Sequence, residues 1–516
     1  MRSFYNDPRC LDALYIICII IIILFLLIPL VGNAILSSPD ASCYLDAGRN
    51  IFSGKGFVSS YNLYQFWPGK YFPLFPYTQP LYPILAGLFI TLWGWKAAVY
   101  LNVFLCTVNA VMIYQLLRLY TGRIESFLMT LGVCLSINFY LSALQAWTEQ
   151  LHLFFLLSAI TVFLKYERSH WMIGVLFGLG CLVRVASAYN AFAFALAIAY
   201  LKGFSKESLK FYLFVFFGFV LVLGSYELFC FFKYGFFYPQ YSSAAKIHTL
   251  ASSIPGAFYK ESIPVLNSLP HTMDVRSVFT TFNTHIKDFY MSFGWMKETL
   301  ALCLIFAVYE VLRKKHALMT IMLFQGFFVI GLYAFIYYWY DQLTQADVLR
   351  YSLVPFTLLW CAGFLSISNL IKARVPGPYQ RAVVIVFILM MFYVLSHKII
   401  SYVQWRTAFM NVIHSKGFQS QQDKKQEIYD WIKANTPQDC LVASEWDQDG
   451  FLFSRPFVSL PKGELSGEKN LSDFLRIYRP DYVFVLAANA RMRDSLKTMG
   501  FEEEKTNELF VLLGRK

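Results

Sequence analysis

Charge is what this chain has least of. Of its 516 residues, 15% are Asp, Glu, Lys or Arg, whereas 57% are hydrophobic and 19% aromatic. Soluble domains carry roughly 25% charged residues. A mean hydropathy of +0.49 therefore puts most of this chain in lipid and excludes a single large soluble fold. Metal and redox signatures are missing too. The ten cysteines include no CxxC pair and no metal spacing, and most lie inside apolar runs, where they read as small apolar residues. Only Cys43 and Cys440 fall in segments expected outside the cytoplasm, where a disulfide could join them. No GxxxxGK[ST], GxGxxG after a strand, HExxH or GxSxG is present. Sequence repeats and low-complexity tracts are absent as well.

What is present is a series of apolar runs punctuated by basic clusters. Leu11 to Leu36 carries no charge after Asp12 and exceeds the ~20 apolar residues a span requires. It is too long for a signal-peptide core and lacks a small-residue cleavage site, so a retained first span is expected. Basic residues follow in short loops: Arg118 and Arg123, Lys165 and Arg168, Lys202 to Lys210, Arg313 to Lys315, and Lys372 to Arg381. The formal charge of +12 would suggest nucleic acid in a soluble protein. Here it follows from basic residues gathering on the cytoplasmic side, and no nucleic-acid partner is expected.

With every cluster inside, about eleven spans close the parity, near 11–36, 98–118, 124–143, 150–165, 171–187, 188–201, 209–233, 294–312, 317–340, 348–371 and 382–401. The fold class is an α-helical polytopic membrane protein. A transmembrane domain is expected over 1–401, with outer loops near 37–97 and 235–293. Pro80 to Gly94 reads as a re-entrant or interfacial helix of the first loop. The charged tail, 402–516, is expected to form a small soluble α/β domain outside the cytoplasm. In it Asp423 to Asn435 reads as an amphipathic helix, with strands at Cys440–Ser444, Tyr482–Leu486 and Phe510–Leu513.

Few residues could carry chemistry. Asp40 stands just beyond the first span, before Gly48, Gly54 and Gly56. It reads either as a helix cap or as a general base at the membrane surface. Asp46, six residues on, lies off its helical face and reads as surface. Glu149 opens an apolar helix, as a dipole-matched charge or as a catalytic helper. Arg184 is the costliest charge, about 2.5–3.5 kcal/mol within a span. It must face a partner or cavity, or snorkel outward. Arg350 suits a lipid phosphate, or pairs with Asp347. Lys246 and His248 are further candidates for the phosphate. Asp447-Gln448-Asp449 is a lone DxD, and no acid pairs with Asp40, so no metal and no cofactor are expected.

Several of these residues, in order, resemble the GT-C class of polytopic membrane glycosyltransferases. They are Pro39-Asp40, Tyr44, Ala47, Arg49-Asn50, Gly54-Lys55-Gly56-Phe57 and Gln79-Pro80-Leu81-Tyr82-Pro83, then Thr148-Glu149, Leu182-Val183-Arg184 and Arg350-Tyr351 with Pro355. The pattern is similar to the bacterial branch of the protein O-mannosyltransferase and lipid A aminoarabinose transferase family, over most of residues 10 to 400. The chain lacks the β-trefoil modules of the eukaryotic members. It also departs from relatives with two adjacent acids, because Ala41 follows Asp40.

The resemblance implies Asp40 as general base, Glu149 as a supporting or acceptor-positioning acid, and Arg184 and Arg350 as contacts to the lipid phosphate. It implies a sugar moved from a polyprenyl-phosphate carrier to a glycan, lipid or protein acceptor, in a bacterial inner membrane with the tail in the periplasm. Two rivals share the donor: a transporter or flippase of the lipid-linked sugar, and a glycan polymerase or ligase. A transporter would be expected to show repeated halves and broken helices.

Overall fold

The computed structural model describes residues 8–32, 34, 39–62, 78–166, 169–203, 205–234, 297–314, 316–338, 353–374, 377–446, 450–460 and 468–516. In chain order the helices are α1 (Pro8–Val31), α2 (Pro39–Phe52), α3 (Leu81–Trp93), α4 (Lys96–Arg118), α5 (Arg123–Cys134), α6 (Ile137–Ala143), α7 (Glu149–Lys165), α8 (His170–Cys181), α9 (Ala186–Lys202) and α10 (Lys206–Tyr234). There follow α11 (Lys297–Lys314), α12 (Ala317–Tyr338), α13 (Leu353–Arg374), α14 (Gly377–Ile413), α15 (Lys416–Asn435), α16 (Gly450–Phe453), α17 (Glu468–Tyr478) and α18 (Ala490–Thr498). The strands are β1 (Tyr61–Asn62), β2 (Val442–Ser444), β3 (Phe457–Ser459), β4 (Tyr482–Leu486), β5 (Phe501–Thr506) and β6 (Phe510–Arg515). Two compact units result. The first contains α1, α4 from Val99 onward, α5 to α13 and α14 as far as Gln404; the second contains residues 34–98 and 405–516.

The first unit is helical because its apolar runs hold few residues that break a helix, and charges mark the ends. Glu149 opens α7 and Lys165 closes it, each matching the dipole. Its outer surface is greasy. On α10, Phe214, Phe216, Phe217, Phe229 and Phe232 are all exposed, a surface that water would not tolerate. Helices α8 and α10 pack closely through Gly174, Gly178 and Gly218, the small-residue contact of helices in lipid. The chain is thus an integral membrane protein.

Helices stand at each place where a span is expected, but the count of about eleven is not reached by length and apolarity alone. Four described helices qualify, within α1, α4, α10 and α13; the α5–α6 pair, bent by 66°, makes a fifth. Three others are short: α7 and α9 have 17 residues each and α8 has 12, and α7 begins with Glu149 and Gln150.

The second unit is built on a six-stranded sheet ordered β1-β3-β2-β4-β6-β5, in which β1, β3, β2 and β4 are parallel and the β4–β6 and β6–β5 pairs are antiparallel. Alternation along the strands feeds two cores. Ala443, Val458, Val483, Val485, Val511 and Leu513 face Phe474, Tyr478 and Leu496 of α17 and α18. Val442, Phe457, Phe484, Phe510 and Leu512 face Ile428, Tyr429 and Ile432 of α15, and Cys43 of α2 joins them. Cys43 and Cys440 share this core, with no disulfide between them. The edge strand β1 comes from the first loop, with Tyr61 beside Phe457. The described residues of 34–98 and of the tail therefore make one module.

Candidate functional site

In the second unit Asp40 sits in the first turn of α2, near the positive end of the helix dipole, and is half-buried. It is a first-turn residue, with the helix beginning at Pro39. The helix is held tightly against α3. A Cβ on Gly48 would lie 2.6 Å from the Pro83 carbonyl and 2.9 Å from the Gly87 Cα, so only glycine permits this approach. Tyr44 meets Tyr82 edge-on nearby, with ring centroids 5.5 Å apart. Helix α3 is 13 residues long, shorter than a span.

Asp46 is not at the surface as its spacing suggested. It is 1% exposed. Its carboxylate accepts from Arg49 Nη2 at 2.7 Å, the Ser60 backbone N–H at 2.6 Å, Ser59 Oγ at 3.2 Å and Asn50 Nδ2 at 3.3 Å. The period of the helix turns Asp46 toward the chain that returns as β1, and this burial is affordable because every oxygen is met by donors. Arg49 continues the link. Its Nη1 donates to the Phe451 carbonyl at 3.2 Å and Ser454 Oγ at 3.3 Å, and its guanidinium lies 4.6 Å from the Phe451 ring centroid. The turn after α2 needs its glycines, since Gly54 and Gly56 have φ of +81° and +83°. Between this turn and the tail's sheet lies a cleft of about 1320 Å³.

In the first unit Glu149 and Arg184 come together. Arg184 stands in the short link between α8 and α9, and its Nη1 donates to Glu149 Oε1 and, at 3.3 Å, to Thr148 Oγ1. Their side chains are only 4% and 14% exposed. The costly arginine is compensated by a carboxylate and does not snorkel. A polar line continues inward. One turn along α7, His152 bonds Asn190 of α9 at 2.8 Å, and the Asn190 carbonyl accepts from Gln325 of α12 at 2.7 Å. Gln150 bonds Asn109 of α4 at 2.9 Å and Ser142 Oγ at 2.8 Å. Reading the sequence missed His152, Asn190 and Gln325. Each is a polar residue within an apolar run, which is the signal that could have found them.

Arg350, Asp347, Lys246, His248 and Asp447 to Asp449 lie outside the described residues. Among the described residues no group of three or more His, Cys, Asp or Glu side chains is placed to hold a metal ion.

No protein-family profile matches the chain, and no curated protein matches it in sequence. Solved structures do. ArnT from Cupriavidus metallidurans bound to undecaprenyl phosphate superposes with a TM-score of 0.58 at 9% identity, over 98% of this chain and 97% of that one. The same protein in the apo state gives 0.54 at 9% identity over the same shares. The archaeal oligosaccharyltransferase AglB from Archaeoglobus fulgidus, in complex with an inhibitory peptide and a dolichol-phosphate, gives 0.53 at 13% identity, over 93% of this chain and 70% of that one. At these identities the likeness is one of fold, the GT-C fold, shared from end to end with ArnT.

Proposed function

We propose that the protein is a membrane glycosyltransferase that moves a sugar from a polyprenyl-phosphate carrier to a glycan, lipid or protein hydroxyl. The observation that carries this reading is the end-to-end GT-C architecture, in which the protein resembling it over 97% of its own length holds undecaprenyl phosphate. The reaction is a single displacement. Asp40 takes the acceptor proton as the oxygen attacks the anomeric carbon, the bond to the carrier phosphate breaks, and the configuration inverts. Cationic side chains stabilise the departing phosphate. Arg184, oriented by Glu149 and Thr148, is one such group; Arg350, Lys246 and His248 are the others assigned to it.

The topology that accompanies this reading has about eleven spans. The first loop and the 402–516 segment form an extracytoplasmic module, which in a bacterium faces the periplasm. The buried ion pair and the greasy outer helices support a lipid-embedded domain made of the spans within 1–401.

The test is Asp40→Asn in the full chain, purified in detergent and supplied with polyprenyl-phosphate-linked sugars. Transfer should fall by about a hundred- to ten-thousand-fold while expression and insertion are retained, the scale of losing a general base. Wild-type turnover by a well-folded Asp40→Asn protein would remove Asp40 from the chemistry. Glycan analysis of a deletion strain tests the reaction class: loss of one residue fits a transferase, loss of chain length a polymerase, and loss of all export a flippase.

A further inference from the structure

We infer that the cleft in the second unit is a saccharide site, distinct from Asp40, that holds an uncharged or amino-bearing glycan chain. This deepens the transferase reading and rests on it only for the role of that chain as acceptor. The cleft's volume, about 1320 Å³, exceeds the ~300–1,000 Å³ of pockets for small molecules. One wall is the last turn of α2 and the turn beyond it, with Arg49 and Lys55; the other is the tail, with Asp439, Asp481, Tyr482 and Glu504.

Charge decides the class of ligand. Most of the cations at the cleft already serve the fold. Arg455 donates to the carbonyls of Ile432, Lys433 and Thr436 at the end of α15, at 3.3, 2.9 and 3.0 Å. Arg49 is engaged with Asp46 and the Phe451 carbonyl. Arg515 donates to the Leu475 carbonyl at 3.2 Å and lies over the Phe501 ring. The side chains of Lys55, Asp439 and Glu504 are exposed and make no hydrogen bond or ion pair among the described residues. The open groups are thus two carboxylates and one ammonium. That balance disfavours a phosphate- or carboxylate-rich ligand and suits hydroxyls and ammonium groups, which carboxylates accept in two-pronged fashion. Tyr482 adds an aromatic ring to the wall, a surface for an apolar sugar face.

Position decides the length of the ligand. Arg49 is nine residues beyond Asp40 on the same helix, ~14 Å at 1.5 Å per residue. A single sugar in the cleft would not reach the carboxylate, whereas an oligomeric chain could present its end there.

The experiment uses the full-length protein in detergent on an array of neutral, amino-bearing and uronic-acid oligosaccharides. Neutral or amino-bearing chains should bind. Asp439→Asn combined with Glu504→Gln should weaken that binding about ten- to hundred-fold, the value of one or two charge-assisted hydrogen bonds. Preference for uronic-acid chains, binding unchanged in the double variant, or no chain bound would each overturn the assignment. The two readings fail separately. The array tests the cleft alone, and retention of turnover by Asp40→Asn would refute the transferase reading whatever the array reports.

Discussion

Replacing Asp46 by alanine should loosen the module that carries Asp40. Four donors converge on this carboxylate, at 2.6 to 3.3 Å, and it is 1% exposed. Hydrogen bonds to a charged acceptor are worth ~1.5–3 kcal/mol each, without simple additivity. Two donors would keep other partners: Arg49 has the Phe451 carbonyl and Ser454, and Asn50 has the Val58 carbonyl at 3.1 Å. The Ser60 N–H and the Ser59 hydroxyl lose their carboxylate contact outright. A net cost of about 3 kcal/mol follows, against ±0.5 kcal/mol for an ordinary surface site. Asp46→Asn should lose most of the same energy, because its amide turns a donor toward donors. The assay is limited trypsin cleavage of the full chain in detergent, scoring cuts after Arg49 and Lys55. When opening and closing are fast, cleavage follows the open population, so 3 kcal/mol corresponds to about a hundred-fold faster cutting. Acceleration below about three-fold in both variants would refute the argument that Asp46 holds α2 to β1.

The buried pair in the first unit makes a second test. Glu149→Gln and Arg184→Ala should each destabilise by ~3–5 kcal/mol, and the double variant should recover part of that loss; a coupling energy near zero in the cycle would dissolve the pair. Cys440 supplies a pH test. Burial raises its thiol above the usual range, opposed by its hydrogen bond to Thr436 and the charge of Arg455. The folded chain then keeps a proton that the unfolded thiol releases near pH ~8.5. Its contribution is complete below that pH and is lost as pH rises through the folded value. Cys440→Ala should accordingly flatten the alkaline fall in stability, and an unchanged profile would count against it. Chelator should leave transfer intact, since Ala41 follows Asp40 and arginine can neutralise a monophosphate leaving group; activity lost in EDTA and restored by Mg²⁺ would refute this.

Helices and buried strands were legible in the sequence because their patterns are local. Tyr482–Leu486 was expected as a strand and is β4. Cys440–Ser444 contains β2, and Phe510–Leu513 lies inside β6. The amphipathic helix expected from Asp423 ends at Asn435 as α15 does, but α15 starts earlier, at Lys416, where the Ser415 side chain caps it. What escaped includes β3, buried but only three residues long, the amphipathic α17, and structure without an apolar pattern. Strand β5 holds Glu502, Glu503 and Glu504 in succession and is stabilised by pairing with β6 across a bulge between Glu503 and Lys505. Strand β1 was invisible for another reason. Its two residues acquire an identity only from Phe457 and Val458, nearly four hundred positions away.

The candidate site divides along the same line. The cost of Arg184 can be read from its apolar neighbours, and from that cost the need for a compensating anion. Which anion it meets cannot be read, because Glu149 lies 35 residues earlier on another helix. Asp46 shows the converse error. Its six-residue offset from Asp40 correctly put the two on different faces of α2, but a face turned away from one carboxylate is not thereby turned to water. Here it is turned to Ser59, Ser60 and, through Arg49, to the tail. A charge in a sequence therefore states a debt of solvation, and only the tertiary structure names the donor or the ion that discharges it. For Asp40 the outcome differs in kind. It sits in the first turn of a helix pinned by Gly48 and by Asp46, and a fixed mount is what the general-base role proposed for it requires.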